Sequence, residues 1–160
     1  MNNVSLIPNI KRIQQAIESI SRFVDENEPG WTRKPFTPWY TQSRDWLTEQ
    51  MTDCGLEVNI DAASNLVGTL HGRNSGMKPI LVGSHTDTVV GAGRFDGVIG
   101  VVAGLEIVRM FNEANIELNH PLMVIDFTAE EASDFGISTI GSRGLVNNLP
   151  SEVLTREDVT

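Results

Sequence analysis

The sequence predicts an α/β fold in which helices pack on a β-sheet. Two short apolar runs, residues 79–83 and 121–127, have the length and composition of buried strands. Between these runs, residues 98–111 place apolar side chains at helical spacing. Helices that alternate with buried strands are typical of a layered α/β domain. We treat residues 1–160 as one unit, because the sequence shows no convincing domain boundary.

The chain is predicted to begin with two helices. Apolar residues recur at three- and four-residue steps from Ile10 to Val24, which is one stripe of an amphipathic helix. The apolar stripe ends before the polar residues 27–30. Thr37 then suits an N-cap, followed by Pro38 at the first helical position. Gly55 suits the end of this second helix.

Four strands are predicted after the helices. Residues 56–60 alternate between apolar and polar side chains, as a half-buried strand does, and residues 65–71 form a second candidate. The continuous apolar run 79–83 is bounded by proline and glycine, which predicts a central strand. Residues 121–127 provide the last strand, and near the C-terminus Pro150 and Ser151 suit the start of a short helix.

Composition narrows the class of protein. The 160 residues suffice for a sizeable core. With 12 Lys and Arg against 21 Asp and Glu, the net charge of −9 argues against a nucleic-acid partner. No apolar run approaches the ~18 residues of a membrane span, which predicts no membrane association. The single Cys54 excludes an intrachain disulfide, and residues 1–10 lack a signal-peptide pattern, so we expect a cytoplasmic location.

Two residues directly after the predicted strand 79–83 suggest a metal site. His85 and Asp87 are two positions apart, so in extended backbone they face the same side. A carboxylate beside a metal-binding histidine holds the ring and improves it as a ligand. For this pair alone, a histidine packed against a turn remains an open alternative.

Further carboxylates occur at two other segments. Asp96 precedes the predicted helix 98–111 and, taken alone, suits a helix cap. A dinucleotide site is rejected, because Asp96 stands where a third glycine is needed and would repel a pyrophosphate. Glu130 and Glu131 follow the strand 121–127. Two adjacent carboxylates at the end of a buried strand need a positive charge to offset their desolvation, and a divalent cation would supply it. An exposed acidic loop is the alternative for this pair alone.

All three segments lie at the carboxyl end of a predicted strand or at the start of the next helix. This edge is where open α/β sheets place their sites. Histidine and carboxylates suit Zn²⁺, Mn²⁺, Co²⁺ or Ni²⁺. The sequence lacks a serine nucleophile elbow, so metal-activated water is the expected nucleophile.

The same segments resemble a family of zinc-dependent amidohydrolases. This family includes N-carbamoyl-L-amino-acid hydrolases, allantoate amidohydrolases and β-ureidopropionases, within the wider superfamily of dimetal aminopeptidases and deacylases. The resemblance covers nearly the whole chain, and its most specific segments are residues 30–33, 61–65, 83–89, 93–98, 129–131 and 141–143. It implies the N-terminal part of a dimetal aminopeptidase-like catalytic domain, with helices packed on a mixed sheet.

The resemblance also implies roles for individual residues. His85 matches a ligand of one metal, Asp96 the carboxylate that bridges two metals, and Glu131 a ligand of the other metal. Glu130 matches the general base, and Asp87 matches the carboxylate that orients the His85 ring. The implied cofactors are two divalent metal ions, Zn²⁺ or Mn²⁺ with Co²⁺ or Ni²⁺ as alternatives. The implied reaction is hydrolysis of a carbamoyl or ureido C–N bond in a small molecule.

The chain departs from this family in two respects. Family enzymes are much longer and carry a second domain that acts as a lid and forms the dimer. We find neither this domain nor the family's two further histidine ligands in the 160 residues. His71 and His120 match no ligand position, so we read both as structural or exposed. Asp134 replaces a family arginine, which predicts an unbalanced local charge. Within residues 61–65, Ser64 replaces a family glycine.

These departures lead us to expect a truncated chain that is inactive alone and comes from a homodimeric enzyme. Two alternatives remain open. One is a dimetal peptidase or N-acyl deacylase. The other is a non-catalytic fragment that acts at most as a binding module.

Overall fold

The computed structural model describes residues 6–155 and shows the predicted α/β fold with a mixed sheet. Its elements in chain order are α1 Ile10–Ile20, α2 Pro38–Asp53, β1 Glu57–Ile60, β2 Leu66–Leu70, β3 Ile80–Ser84, α3 Val98–Glu113, β4 Leu122–Asp126, α4 Ile140–Leu145 and a 3₁₀ helix Ser151–Thr155. The short helix expected from Pro150 and Ser151 is therefore this 3₁₀ helix.

The four strands are ordered β1-β2-β4-β3. The pairs β1–β2 and β2–β4 are antiparallel, whereas β3 and β4 are parallel. The prediction that residues 79–83 form a central strand is wrong for the described sheet. There β3 is an edge strand, and Ile80 and Leu81 remain 50% and 46% exposed. An apolar run indicates that a strand can be buried, but it does not specify how many neighbours the strand has.

The second helix begins where the sequence predicts. The Thr37 hydroxyl oxygen accepts the backbone N–H of Tyr40 at 3.4 Å, and Pro38 occupies the first helical position. Gly55 follows the helix with φ +77°, a backbone conformation that favours glycine.

The first helix is shorter than its apolar stripe. It ends at Ile20, because the Ser21 hydroxyl donates to the Ile17 carbonyl and the chain turns. The buried Arg33 guanidinium then donates to the carbonyls of Ile20 and Phe23, at 3.2 and 2.9 Å. These carbonyl groups are thus satisfied without further helical turns.

Helices α2 and α3 pack against the sheet around one apolar core. Its fully buried members include Leu47 and Met51 of α2, Val101, Leu105 and Val108 of α3, and Leu66, Leu122 and Val124 of the strands. A second cluster, with Ile17, Ile20 and Val102, joins α1 to α3. This packing fixes the N-terminus of α3 beside the carboxyl ends of β3 and β4. None of the described helices has the length and apolar character to cross a membrane.

Candidate metal centre

A histidine and two carboxylates meet at the carboxyl edge of the sheet. Because β3 and β4 are parallel, the residues that follow them share one edge. His85 directly follows β3, and Glu130 and Glu131 follow β4 after a turn in which Ala129 adopts φ +46°. The potential ligand atoms of these three residues all lie within 4.8 Å of one another. His85 Nε2 is 3.5 Å from Glu130 Oε2.

The ring of His85 is fixed by Asp87. Its Nδ1 atom lies 2.9 Å from the backbone carbonyl oxygen of Asp87, and the contact requires an N–H at Nδ1. Nε2 is then the ring nitrogen on the side of Glu130. The Asp87 carboxylate, which the resemblance implies as the group that orients the ring, is farther away, at 3.8 Å from Nδ1.

The carboxylate of Asp87 instead holds the other loop. Its two oxygens accept the backbone N–H groups of Glu130 and Glu131, at 3.2 and 3.0 Å. Asp87 is fully buried, and this burial raises the pKa of its carboxyl group, against the two amide hydrogen bonds and the nearby His85. A single residue therefore joins the His85 loop to the Glu130–Glu131 loop.

Asp96 lies beside this cluster and does not cap α3. The N-cap is Gly97, at φ +63°, and no side chain bonds to the first turn, so the capping interpretation is wrong. A Cβ atom on Gly97 would lie 2.5 Å from His85 Nε2, which shows how closely the backbone approaches the ring. Asp96 is exposed and falls outside the 4.8 Å group formed by the described residues.

The site has an excess of negative charge. Burial raises the pKa of Glu131, and the charges of Asp96, Glu130 and Asp87 raise it further, whereas His85 lowers it. One imidazole nitrogen with several carboxylate oxygens is a donor set that divalent transition metals bind. The residues present therefore fit a divalent cation.

The turn at residues 61–65 supports the loop that carries Glu130. Asp61 Oδ1 accepts the backbone N–H of Asn65 at 2.8 Å, and Ser64 adopts φ +65°. This conformation explains why a glycine suits position 64 in the family that the sequence resembles. Asn65 in turn accepts the N–H of Thr128 at 3.0 Å and donates to the carbonyl of Gly141 at 3.1 Å.

The expected charge imbalance at Asp134 is wrong. Lys34 Nζ lies 2.6 Å from Asp134 Oδ2, so the carboxylate has a cationic partner. The next residue, Phe135, packs edge-on against Phe36 with ring centroids 5.4 Å apart. These contacts attach the segment after Glu131 to the segment that precedes α2.

The other two histidines have no part in the cluster, as expected. His71 Nε2 lies 2.6 Å from Glu57 Oε2, and both side chains are largely exposed. His120 is partly exposed, with Nδ1 2.8 Å from the carbonyl oxygen of Lys78.

A buried ion pair near the site was not predicted from the sequence. Asp126, the last residue of β4, is 0% exposed, and its Oδ2 atom lies 3.2 Å from Arg44 Nε. Burial raises the pKa of Asp126 to about 6, against the effect of Arg44. A signal was available, because Asp126 is the one charged residue in the apolar run 121–127.

An apolar cavity of about 330 Å³ lies beside the loop that carries the two glutamates. Phe36, Thr128, Phe135 and Ile140 are among the residues that line it. Its volume is within the range of small-molecule pockets, about 300–1,000 Å³.

The fold and the cluster define an α/β domain with a His–carboxylate site at the carboxyl edge of a mixed sheet. The chain belongs to peptidase family M28, whose sequence model matches residues 65–157. It is 38% identical over 148 residues to an N-carbamoyl-L-amino acid amidohydrolase of Geobacillus stearothermophilus, a match that covers 92% of this chain and 36% of that protein. It is 35% identical over 131 residues to a ureidoglycolate hydrolase of Oryza sativa subsp. japonica, covering 82% and 27% respectively.

A solved structure agrees with these relationships. The crystal structure of a hydantoinase/carbamoylase family amidase from Burkholderia ambifaria superposes with a TM-score of 0.90 at 34% identity, covering 96% of this chain and 38% of that one. The predicted resemblance to carbamoyl-amino-acid amidohydrolases is confirmed. The chain spans about a third of the length of the curated relatives it matches.

Proposed function

We propose that this chain forms the N-terminal part of the catalytic domain of a hydrolase that uses divalent cations to cleave linear amide or ureido C–N bonds. The observation that carries the proposal is the placement of His85 Nε2, 3.5 Å from a Glu130 oxygen, while Nδ1 is held by the Asp87 carbonyl. The names of the relatives, an N-carbamoyl-L-amino acid amidohydrolase and a ureidoglycolate hydrolase, support this substrate class.

Divalent cations are proposed to bind to His85, Asp96 and Glu131, with Zn²⁺ or Mn²⁺ as the first candidates and Co²⁺ or Ni²⁺ as alternatives. Glu131 lies in the 4.8 Å group with His85, whereas Asp96 is adjacent to Gly97, which packs on the His85 ring. A bound divalent cation would polarise the scissile carbonyl and lower the pKa of a water molecule.

Glu130 is the proposed general base. Its side chain is 35% exposed, so a carboxylate oxygen can face both the site and a small-molecule substrate. It takes a proton from the attacking water as the water oxygen bonds to the carbonyl carbon, and delivers this proton to the departing nitrogen as the C–N bond breaks. For an N-carbamoyl amino acid the products are the amine, ammonia and carbon dioxide. Asp87 positions Glu130 through the backbone hydrogen bond.

A second candidate is a dimetal peptidase or N-acyl deacylase. The family whose model matches the chain is named for peptidases, which supports this second candidate. Both candidates use the same water chemistry and differ in the group on the scissile carbonyl. A comparison of substrates therefore distinguishes them.

The 160-residue chain is proposed to be inactive by itself. Its described residues bring one histidine to the site, and the aligned part of the chain covers 36% of the Geobacillus relative. The active protein is proposed to be a homodimer formed through a further domain. A non-catalytic binding fragment is the competing interpretation.

A chimera tests this function directly. The present chain replaces the matching segment of the Geobacillus relative. In Mn²⁺, ammonia release is measured from N-carbamoyl-L-amino acids and allantoate, and release of the free amino acid is measured from dipeptides and N-acetyl amino acids. We expect hydrolysis of the carbamoyl or ureido substrates, no turnover by the isolated chain, and loss of turnover by orders of magnitude in Glu130→Gln with its metal content retained. A folded, metal-loaded chimera that cleaves only dipeptides or N-acetyl amino acids would support the second candidate instead.

A further inference from the structure

The buried ion pair of Arg44 and Asp126 lies where the two loops of the candidate site begin. Asp126 ends β4 and is paired in register with Ser84, the last residue of β3 and the one that precedes His85. Arg44 belongs to α2, and its side chain is 14% exposed. The pair therefore connects the helix layer to the carboxyl edge of the sheet.

Asp126 contacts the loop of His85. Its Oδ2 atom accepts the hydroxyl of Thr86 at 3.2 Å, and Thr86 lies between His85 and Asp87 in the chain. Thr86 is fully buried, and its carbonyl accepts Arg33 Nε at 2.7 Å. The backbone that carries the histidine is thus tied to Asp126 through one side chain.

Arg44 contacts the loop of the glutamates. Its Nη1 atom donates to the Thr128 hydroxyl oxygen at 3.3 Å, and Nη2 donates to the Ser64 carbonyl at 2.7 Å. The Thr128 hydroxyl donates to the same carbonyl. Since Thr128 is two residues before Glu130, the guanidinium fixes the start of the segment that carries the carboxylates.

The pair is a poor source of stability. Among the described side chains, Asp126 Oδ1 and Arg44 Nε are buried without a hydrogen-bond partner. Replacing a buried ion pair by apolar residues is often neutral or stabilising, because desolvation offsets the attraction of the charges. Arg44 nevertheless uses its planar fork to reach three groups at once, which a lysine cannot do. Its geometry is suited to setting positions.

We propose that Arg44 and Asp126 are positioning residues that set the placement of the Glu130–Glu131 loop against the His85 loop, and thereby the affinity for a divalent cation. The affinity part of this inference rests on the proposed function of the site. The placement part concerns the metal-free protein and is tested separately.

The test compares Asp126→Asn with a matched control in the 160-residue chain. Glu106→Gln breaks a similarly buried pair, since Glu106 is 2% exposed and lies 2.6 Å from Arg12 Nε, between α1 and α3. Hydrogen exchange of the Glu130 and Glu131 amides is measured in EDTA, the global stability by urea unfolding, and Mn²⁺ affinity by calorimetry. Arg44→Lys serves as a second variant, because it keeps the positive charge but loses the fork.

In Asp126→Asn we expect faster exchange of the Glu130 and Glu131 amides, by more than the measured loss of global stability explains. We also expect Mn²⁺ affinity to fall about 10- to 100-fold. Arg44→Lys is expected to loosen the same amides. Glu106→Gln is expected to leave their exchange and the Mn²⁺ affinity unchanged. Unaltered exchange in both site variants, or equal loosening in Glu106→Gln, would overturn the inference. A wild-type chain that binds no Mn²⁺ overturns the affinity part, whereas the exchange rates in EDTA decide the placement part and the chimera decides the proposed function.

Discussion

The Asp87 carboxylate accepts a hydrogen bond from the backbone of Glu131, with Oδ2 3.0 Å from the Glu131 amide nitrogen. The other oxygen of the same carboxylate accepts the Glu130 amide, and the Asp87 carbonyl fixes the ring of His85. One buried residue thus positions the His85 ring and the backbone of both glutamates. The Glu131 carboxylate itself belongs to the 4.8 Å group with His85 and Glu130.

Asp87→Asn is expected to weaken this arrangement. An asparagine side chain has one acceptor oxygen, so one of the two amides loses its partner. The loss of a buried hydrogen bond costs about 1–3 kcal/mol in the free energy of unfolding. Urea unfolding measures this change, and amide exchange shows whether it is concentrated at Glu130 and Glu131. Wild-type stability together with wild-type exchange would contradict the role of Asp87.

Gly97→Ala is expected to damage the site directly. The backbone of Gly97 has φ +63°, and an added Cβ would lie 2.5 Å from the His85 ring, so the ring must move. We expect a loss of about 2 kcal/mol or more in stability, from backbone strain and the clash, together with a fall in Mn²⁺ affinity of at least tenfold. Calorimetry and urea unfolding measure the two effects.

Gly93→Ala is the matched control for this substitution. It lies in the same loop, and an added Cβ there has no neighbour within 4 Å. We therefore expect Gly93→Ala to change neither stability nor Mn²⁺ affinity appreciably. Equal effects of the two alanine substitutions would contradict the role of the contact between Gly97 and His85.

The Lys34–Asp134 pair is expected to contribute little to stability. Both side chains are about one-third exposed, at 30% and 35%, and such pairs typically contribute about 0.2–1 kcal/mol. Asp134→Arg, which restores the residue type of the resembled family, places two cations together and should destabilise the protein by a similar amount. The double variant Lys34→Asp/Asp134→Arg should recover that loss in thermal unfolding. No recovery in the double variant would indicate that the ion pair is not what holds this segment.

Asp126 is expected to make stability depend on pH. Its pKa is raised from 3.8 to about 6, so the folded state binds this proton more tightly than the unfolded state. The corresponding stabilisation is complete below about pH 4 and is lost as the pH rises through about 6, amounting to roughly 3 kcal/mol. Urea unfolding of the wild type and Asp126→Asn at several pH values measures the difference, which should shrink between pH 4.5 and 7.5. Parallel pH profiles would contradict this assignment.

Local signals in the sequence predict the elements that local interactions form. Thr37 and Pro38 begin α2 as predicted, because a cap and a proline act within one helical turn. The placement of His85, Glu130 and Glu131 at one edge also follows, since each comes after a strand.

Features set by distant residues could not be predicted in this way. The edge position of β3 depends on which strands pair with it, and the pairing of Asp134 with Lys34 depends on how two remote loops pack. The helical stripe continues past Ile20, yet α1 ends there, with Arg33 bonding the Ile20 carbonyl. In each case a tertiary contact decides what the local pattern leaves open.

Metal binding at the His85 cluster is tested most directly by a calorimetric titration of the metal-free 160-residue chain with Mn²⁺ and Zn²⁺. The titration is repeated with His85→Ala and with His120→Ala, since His120 is a partly exposed histidine outside the cluster. We expect saturable binding by the wild type, unchanged affinity in His120→Ala and an affinity at least tenfold weaker in His85→Ala. No binding by the wild type, or equal affinities in the two histidine variants, would contradict this expectation.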